Sequence, residues 1–124
     1  MTSARQRLGQ AAEELVAAHL AAAGWQIVAR NAHSRHGELD IVAVAGRTLV
    51  FVEVKAGRRN SAYGPERPIL AIDRRKQLQV RRLAAAWLAE RPDLPFYEEI
   101  RFDAIGVTFE GARAVDVEHI ENAF

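Results

Sequence analysis

Residues 40–54 run Asp-Ile-Val-Ala-Val-Ala, then Gly-Arg, then Thr-Leu-Val-Phe-Val-Glu-Val. Dense β-branched and apolar residues on both sides of a glycine-led pair predict two strands, 40–44 and 48–54, joined as a hairpin. Gly46-Arg47 suits a two-residue type II′ turn, whose first central position needs a positive φ. Ala45 then faces Thr48. An unbroken register puts Asp40 opposite Glu53 and Glu38 opposite Lys55, and a single bulge would displace that pairing by one residue. Opposite side chains share a face with Cβ atoms roughly 5 Å apart. Glu53 and Lys55 point the same way because side chains alternate along a strand.

Two carboxylates at that separation repel unless one is protonated or a cation lies between them. A hard ion such as Mg²⁺ or Mn²⁺ is the natural partner of oxygen ligands, and it commonly binds through one or two carboxylates plus substrate phosphate oxygens. A metal-dependent phosphodiester hydrolase is therefore the chemistry that this hairpin suggests, with Asp40 and Glu53 as ligands. Lys55 would orient or deprotonate the attacking water, or stabilise developing charge; the sequence leaves these roles open. A plain ionic cluster on a wetted sheet would show the same spacing. Against it, Val50, Phe51, Val52 and Val54 bracket Glu53, so the strand reads as buried on both faces, where acids rarely stay unpaired.

With 124 residues and 49% hydrophobic content, the chain can build one core, and a single domain over 1–124 is expected. Cysteine is absent, so any metal must use oxygen or imidazole ligands. His19, His33, His36 and His119 show no tight ligand spacing, although His36 lies just ahead of the acidic motif. The N-terminus is polar and no apolar run approaches ~18 residues, so no membrane association and a cytoplasmic location are expected.

The net charge of +1 hides an uneven distribution. From Lys55 to Arg82 there are nine basic residues against two acids, Glu66 and Asp73, a local balance of +7. Arg58, Arg59, Arg74, Arg75 and Lys76 in this block are the candidate contacts to a nucleic-acid backbone. A solvated helix face is the plainer reading of the same charges. Phosphate contacts carry no base-sequence information.

Around the hairpin, residues 3–23 read as a helix, with Leu8, Ala12, Leu15, Val16, His19 and Ala23 at helical spacing and Gly24 as the stop. A short strand over 25–30 precedes a loop through Ser34 and Gly37. A second loop, with Asn60, Ser61, Gly64 and Pro65, leads to a helix over 69–90 whose buried stripe is Val80, Leu83, Ala84, Trp87 and Leu88, ended by Pro92 and Pro95. Strands over 100–109 and 112–117 surround Glu110-Gly111. This order of helix, three strands, helix and two strands predicts an α/β sandwich with a mixed central sheet flanked by helices. Glu13 lies at the margin of the first helix's apolar stripe beside Gly9, Val16 and Leu20, whereas Glu14 lies beside Gln10, Ala17 and Ala18; periodicity alone leaves both as solvent residues. Gly9 costs about 1 kcal/mol in a helix interior, which close approach of another element or a substrate would explain.

These residues together resemble the YraN-like family of small bacterial proteins, regarded as predicted endonucleases related to archaeal Holliday-junction resolvases in the PD-(D/E)XK superfamily. The resemblance spans nearly the whole chain. It rests on Gly9 with Glu13, Arg30-Asn31, Gly37-Glu38-Leu39-Asp40, Phe51-Val52-Glu53-Val54-Lys55, Tyr63-Gly64, Lys76, Arg101-Phe102-Asp103 and the ending His119-Ile120-Glu121-Asn122-Ala123-Phe124. It implies a restriction-endonuclease-like sheet, Asp40 and Glu53 as metal ligands, Lys55 as catalytic lysine, Glu13 rather than Glu14 as the helical acid at the site, and, by analogy with resolvases, a homodimer. The family often carries an arginine two positions after the lysine, where this chain has Gly57 followed by Arg58 and Arg59. Expected functions are thus a Mg²⁺- or Mn²⁺-dependent endonuclease on DNA, including branched or distorted DNA, or a catalytically silent nucleic-acid-binding module, or a protein-protein adaptor.

Overall fold

The computed structural model describes residues 2–62, 64, 67–91 and 93–124; the expectations placed on Tyr63, Pro65, Glu66 and Pro92 lie outside them. Helix α1 spans Ala4–Ala22. A capping box starts it, with Ser3 Oγ accepting from Gln6 N and Gln6 Oε1 accepting from Ser3 N. Gly24, at φ +94°, ends it in a Schellman arrangement in which Trp25 N donates to Leu20 O at 3.0 Å. Ala12, Val16, Ala17 and Leu20 are its buried face.

Three consecutive strands follow, β1 (Gln26–Ser34), β2 (Gly37–Ala45) and β3 (Thr48–Arg58). Strand β1 is longer than expected, because only Arg35 and His36 separate it from β2. Gly46 takes φ +61° at the β2–β3 turn, while Arg47 stays at negative φ, as a II′ turn requires. Strand β3 then leads through a 3-10 turn, Pro68–Ala71, to helix α2 (Arg74–Ala89). The helix thus starts later than the expected residue 69. Ile72, at ψ 81°, interrupts it, and Asp73 caps the new start by accepting from Lys76 N at 2.9 Å. Strands β4 (Glu99–Glu110) and β5 (Arg113–Ile120) complete a mixed sheet of order β1-β2-β3-β4-β5, parallel only between β3 and β4.

The two helices cover opposite faces. On one, Ala12, Val16 and Leu20 pack with Ile41, Ala43, Val50, Val52, Val54, Ile105 and Val107. On the other, Val80, Leu83, Ala84 and Trp87 pack with Leu39, Val42, Val44, Leu49 and Phe51. No described helix is long and apolar enough to cross a membrane.

The 3-10 turn is seated on two glycines. A Cβ at Gly57 would meet Pro68 Cγ at 2.9 Å, and one at Gly106 would meet Ile69 N at 3.0 Å. At position 57, where the resembling family often has an arginine, a side chain would have to displace Pro68. Gly57→Ala is expected to cost about 1–3 kcal/mol through overpacking, read as a shift of the urea midpoint. At Gly9 the expected close approach of another element is not found, since a Cβ there meets nothing within 4 Å.

Candidate metal site and basic groove

Side chains in β3 alternate as the sequence predicts, with Leu49, Phe51, Glu53 and Lys55 facing α2 and Val50, Val52 and Val54 facing α1. Strand β2 keeps this alternation only as far as Ile41. Leu39 joins Val42 and Val44 on the α2 side, although strict alternation would place it with Ile41 and Ala43 on the α1 side. The strand has turned over at Asp40. The β2–β3 register likewise ends at Ile41↔Val52, one pair short of the expected Asp40–Glu53 pair. In place of a backbone rung, Asp40 Oδ2 accepts the Val54 N–H at 2.8 Å.

The turnover has two consequences. Glu38 moves away from Lys55, correcting the cross-strand pair expected from the register, and instead faces His33 on β1 with a 3.1 Å His33 Nδ1–Glu38 Oε2 contact. Glu38 also meets Glu13 from α1. Ligand oxygens of Glu13, Glu38 and Asp40 all lie within 4.8 Å of one another, and all three residues are half-buried. Glu14, in contrast, is exposed.

Asp40 stands between two further carboxyls, within hydrogen-bonding reach of both Glu13 and Glu53. Burial and the neighbouring Asp40 push Glu53 up to about 8, against the pull of Lys76 and Lys55. Burial, then Asp40 and Glu38, push Glu13 up to about 7, with Arg30 pulling the other way. Glu53 Oε1 lies 3.6 Å from Lys76 Nζ and 4.0 Å from Lys55 Nζ, while the buried Oε2 has no hydrogen-bond partner among the described residues. A hard divalent cation fits the converging oxygens of Glu13, Glu38 and Asp40, with the buried Glu53 adjoining them through Asp40. The donors are all carboxylate oxygens, and the crowded acids hold protons that a cation would displace.

That crowding predicts a pH dependence. The unfolded chain releases these protons near the ordinary value of 4.5, whereas the fold keeps them to about 7 and 8. The fold binds more protons in this window, so the stabilisation is full below about 4.5 and lost as pH rises to about 8. Urea unfolding in EDTA should show stability falling by several kcal/mol between pH 5 and pH 8, with Glu53 contributing the larger share. Millimolar Mn²⁺ should recover most of it.

On the α2 side lies a groove of about 700 Å³ lined by Lys55, Arg75, Lys76 and Arg82, together with His36, Gln79 and the acidic Asp73; it adjoins the acids through Lys55 and Lys76, the partners of Glu53. The basic block is therefore divided. Arg75 and Lys76 line the groove, whereas Arg74 is exposed at the start of α2 outside that lining. Arg58 and Arg59 are drawn to the β4–β5 turn, where Arg58 donates to Gly111 O at 3.2 Å and Arg59 pairs with Glu110 at 3.2 Å. Lys76 does more than its position in a basic run indicated, since it also partners Glu53. Sequence reasoning did not select Glu38 or Asn31 as site residues. A left-handed φ of +50° at Asn31, inside a strand, is visible only in the structure.

Comparison with known proteins places the chain in a family. The model of the uncharacterised protein family UPF0102 matches residues 12–107, and the chain belongs to that family. A UPF0102 protein from Parafrankia sp. (strain EAN1pec) is 48% identical over 121 residues, covering 96% of this chain and 97% of the relative. One from Geobacter sulfurreducens is 45% identical over 117 residues, covering 94% and 88%, and one from Nocardia farcinica is 42% identical over 120 residues, covering 97% and 91%.

Proposed function

We propose that this protein is a divalent-metal-dependent endonuclease that hydrolyses phosphodiester bonds in DNA, acting on branched or distorted structures, on a restriction-endonuclease-like fold of the PD-(D/E)XK type. The observation that carries the reading is the position of Asp40 at the parting of β2 and β3, between Glu13 and Glu53, with Lys55 and Lys76 beside Oε1 of Glu53. Asp40 and Glu53 would hold Mg²⁺ or Mn²⁺, with Glu13 and Glu38 offering further oxygens. When bound, the cation supplies Lewis acidity toward water and the phosphoryl oxygens.

The remaining work falls to the chain's own side chains. Glu53 anchors the two lysines at the mouth of the groove, so their ammonium groups face an incoming phosphate. Lys55, on the same strand face as Glu53, stabilises charge growing on the phosphoryl oxygens. Lys76, Arg75 and Arg82 collect backbone phosphates along the groove, and the amino end of α2 adds its dipole. Preference for branched DNA follows from the resemblance to resolvases, and the homodimer by which such enzymes cut is part of the same reading.

Purified protein is to be incubated with four-way-junction, flap, single-stranded and duplex DNA in Mg²⁺ or Mn²⁺. Cleavage by the wild type, absent in Asp40→Asn and in EDTA, is the expected result. DNA binding that weakens steeply with salt, with no cutting on any substrate, would replace this reading with that of a silent binding module.

A further inference from the structure

Asn31 is the least comfortable residue in β1. Its backbone sits at φ +50°, a left-handed conformation, although its neighbours pair as ordinary antiparallel strand, Arg30 with Ile41 and Ala32 with Leu39. No extra residue is inserted there, so the departure is not a bulge. Asparagine tolerates this conformation better than most side chains, but still at a cost relative to extended backbone. The strain falls directly across from Asp40, where β2 turns over. It also aims the carboxamide at the acidic cluster: with the amide nitrogen turned toward the acids, it donates to Glu13 Oε2 at 2.9 Å and to Glu38 Oε1 at 2.7 Å.

The geometry points to Asn31 as a positioning residue that clamps Glu13 on α1 and Glu38 on β2 at the separation a divalent cation needs. This inference rests on the metal-site reading above. The two carboxylates come from different elements and repel each other, so neither element alone fixes their distance. One planar amide with two N–H donors satisfies one oxygen on each; of the other two, Glu38 Oε2 meets the exposed His33 Nδ1 at 3.1 Å, a contact that a cation would replace. Donors that hold a ligating carboxylate in this way set ligand orientation, and their loss commonly weakens metal binding 10–100-fold. The left-handed backbone is what lets the side chain of an edge-strand residue reach both acids.

Asn31→Gly tests this most cleanly, because glycine adopts φ +50° without strain and removes only the amide. Titration with Mn²⁺ alone should show affinity at least tenfold weaker than wild type, with the urea midpoint of the metal-free protein little changed. A merely structural asparagine would give the opposite split, with lower stability and unchanged affinity, and that result would overturn the inference. Crystals of metal-free Asn31→Gly should show Glu13 and Glu38 further apart than in the wild type; unchanged carboxylates would also overturn it, whether or not either protein binds metal. Mn²⁺ density coordinated by Asn31 Oδ1 itself in the wild type would overturn it too, making the residue a ligand. Should wild type bind no Mn²⁺ while the metal-free crystals still show the carboxylates released, the clamp stands and the metal reading fails.

Discussion

Glu53→Gln is expected to make the metal-free protein more stable at pH 8 while removing the proposed nuclease activity. Glu53 is almost wholly buried, beside Asp40, and the fold holds it protonated up to about 8. Glutamine keeps the shape without a charge to desolvate, so the stability difference between variant and wild type should be small at pH 5 and grow to on the order of 2 kcal/mol at pH 8. The same change removes a proposed metal ligand and the anchor of Lys55 and Lys76. Cleavage should therefore fall by at least about a thousandfold, equivalent to several kcal/mol of transition-state stabilisation. Urea unfolding at the two pH values, alongside a single-turnover cleavage assay, checks both halves. A variant that is less stable at pH 8, or that still cuts, contradicts this account. The exchange of stability for function is a general property of sites that crowd like charges.

Asp103→Ala should be the most damaging substitution outside the site. Asp103 is fully buried on β4, and both its oxygens are taken. Arg101 grips it in a bidentate pair at 2.8 and 2.9 Å, His119 Nε2 lies 2.9 Å from Oδ2, and Asn122 N donates to Oδ1 at 2.9 Å. Trp25 completes the cluster, edge-on to His119 and under the Arg101 guanidinium. Burial alone would raise the Asp103 pKa, but the hydrogen bonds from His119, Arg101 and Asn122 outweigh it and hold the carboxyl below its usual range. Its contribution is therefore full above the ordinary value of 3.8 and lost as pH falls through the lower folded value. Removing the carboxylate leaves the partly buried Arg101 with only the exposed Glu121, at 3.6 Å, as an acidic partner and loosens the chain end at Asn122, a loss of about 3–5 kcal/mol. A shift in the urea midpoint equivalent to less than 1 kcal/mol would show that the cluster is not the brace described here.

How far the sequence spoke depends on what each residue answers to. The β2–β3 hairpin was legible because Gly46 and the apolar alternation are local signals, and they fix the register from the turn as far as Ile41↔Val52. Beyond that point local rules fail. Asn31 on β1 turns left-handed and β2 turns over at Asp40, so Glu38 reaches Glu13 on α1 rather than Lys55. The start of α2 was misjudged for a related reason. Ile69 and Ile72 look like part of a helical stripe, yet the turn they occupy is set by packing of Pro68 and Ile69 on Gly57 and Gly106. Arg58 and Arg59 sit next to the Glu53-Val54-Lys55 motif in sequence, but the β4–β5 turn claims them through Gly111 and Glu110. Lys76 shows the converse, since a residue that reads as one of many basic charges proves to be a partner of the buried acid.

The most direct measurement is calorimetric titration of the wild-type protein with Mn²⁺ near pH 7, repeated in two buffers of different ionisation enthalpy and with oligonucleotide present. Saturable binding is predicted, with heat that depends on the buffer because the crowded carboxyls release protons as the cation enters. No binding in either buffer, with or without DNA, would contradict the claim that Asp40 and the acids around it form a metal site.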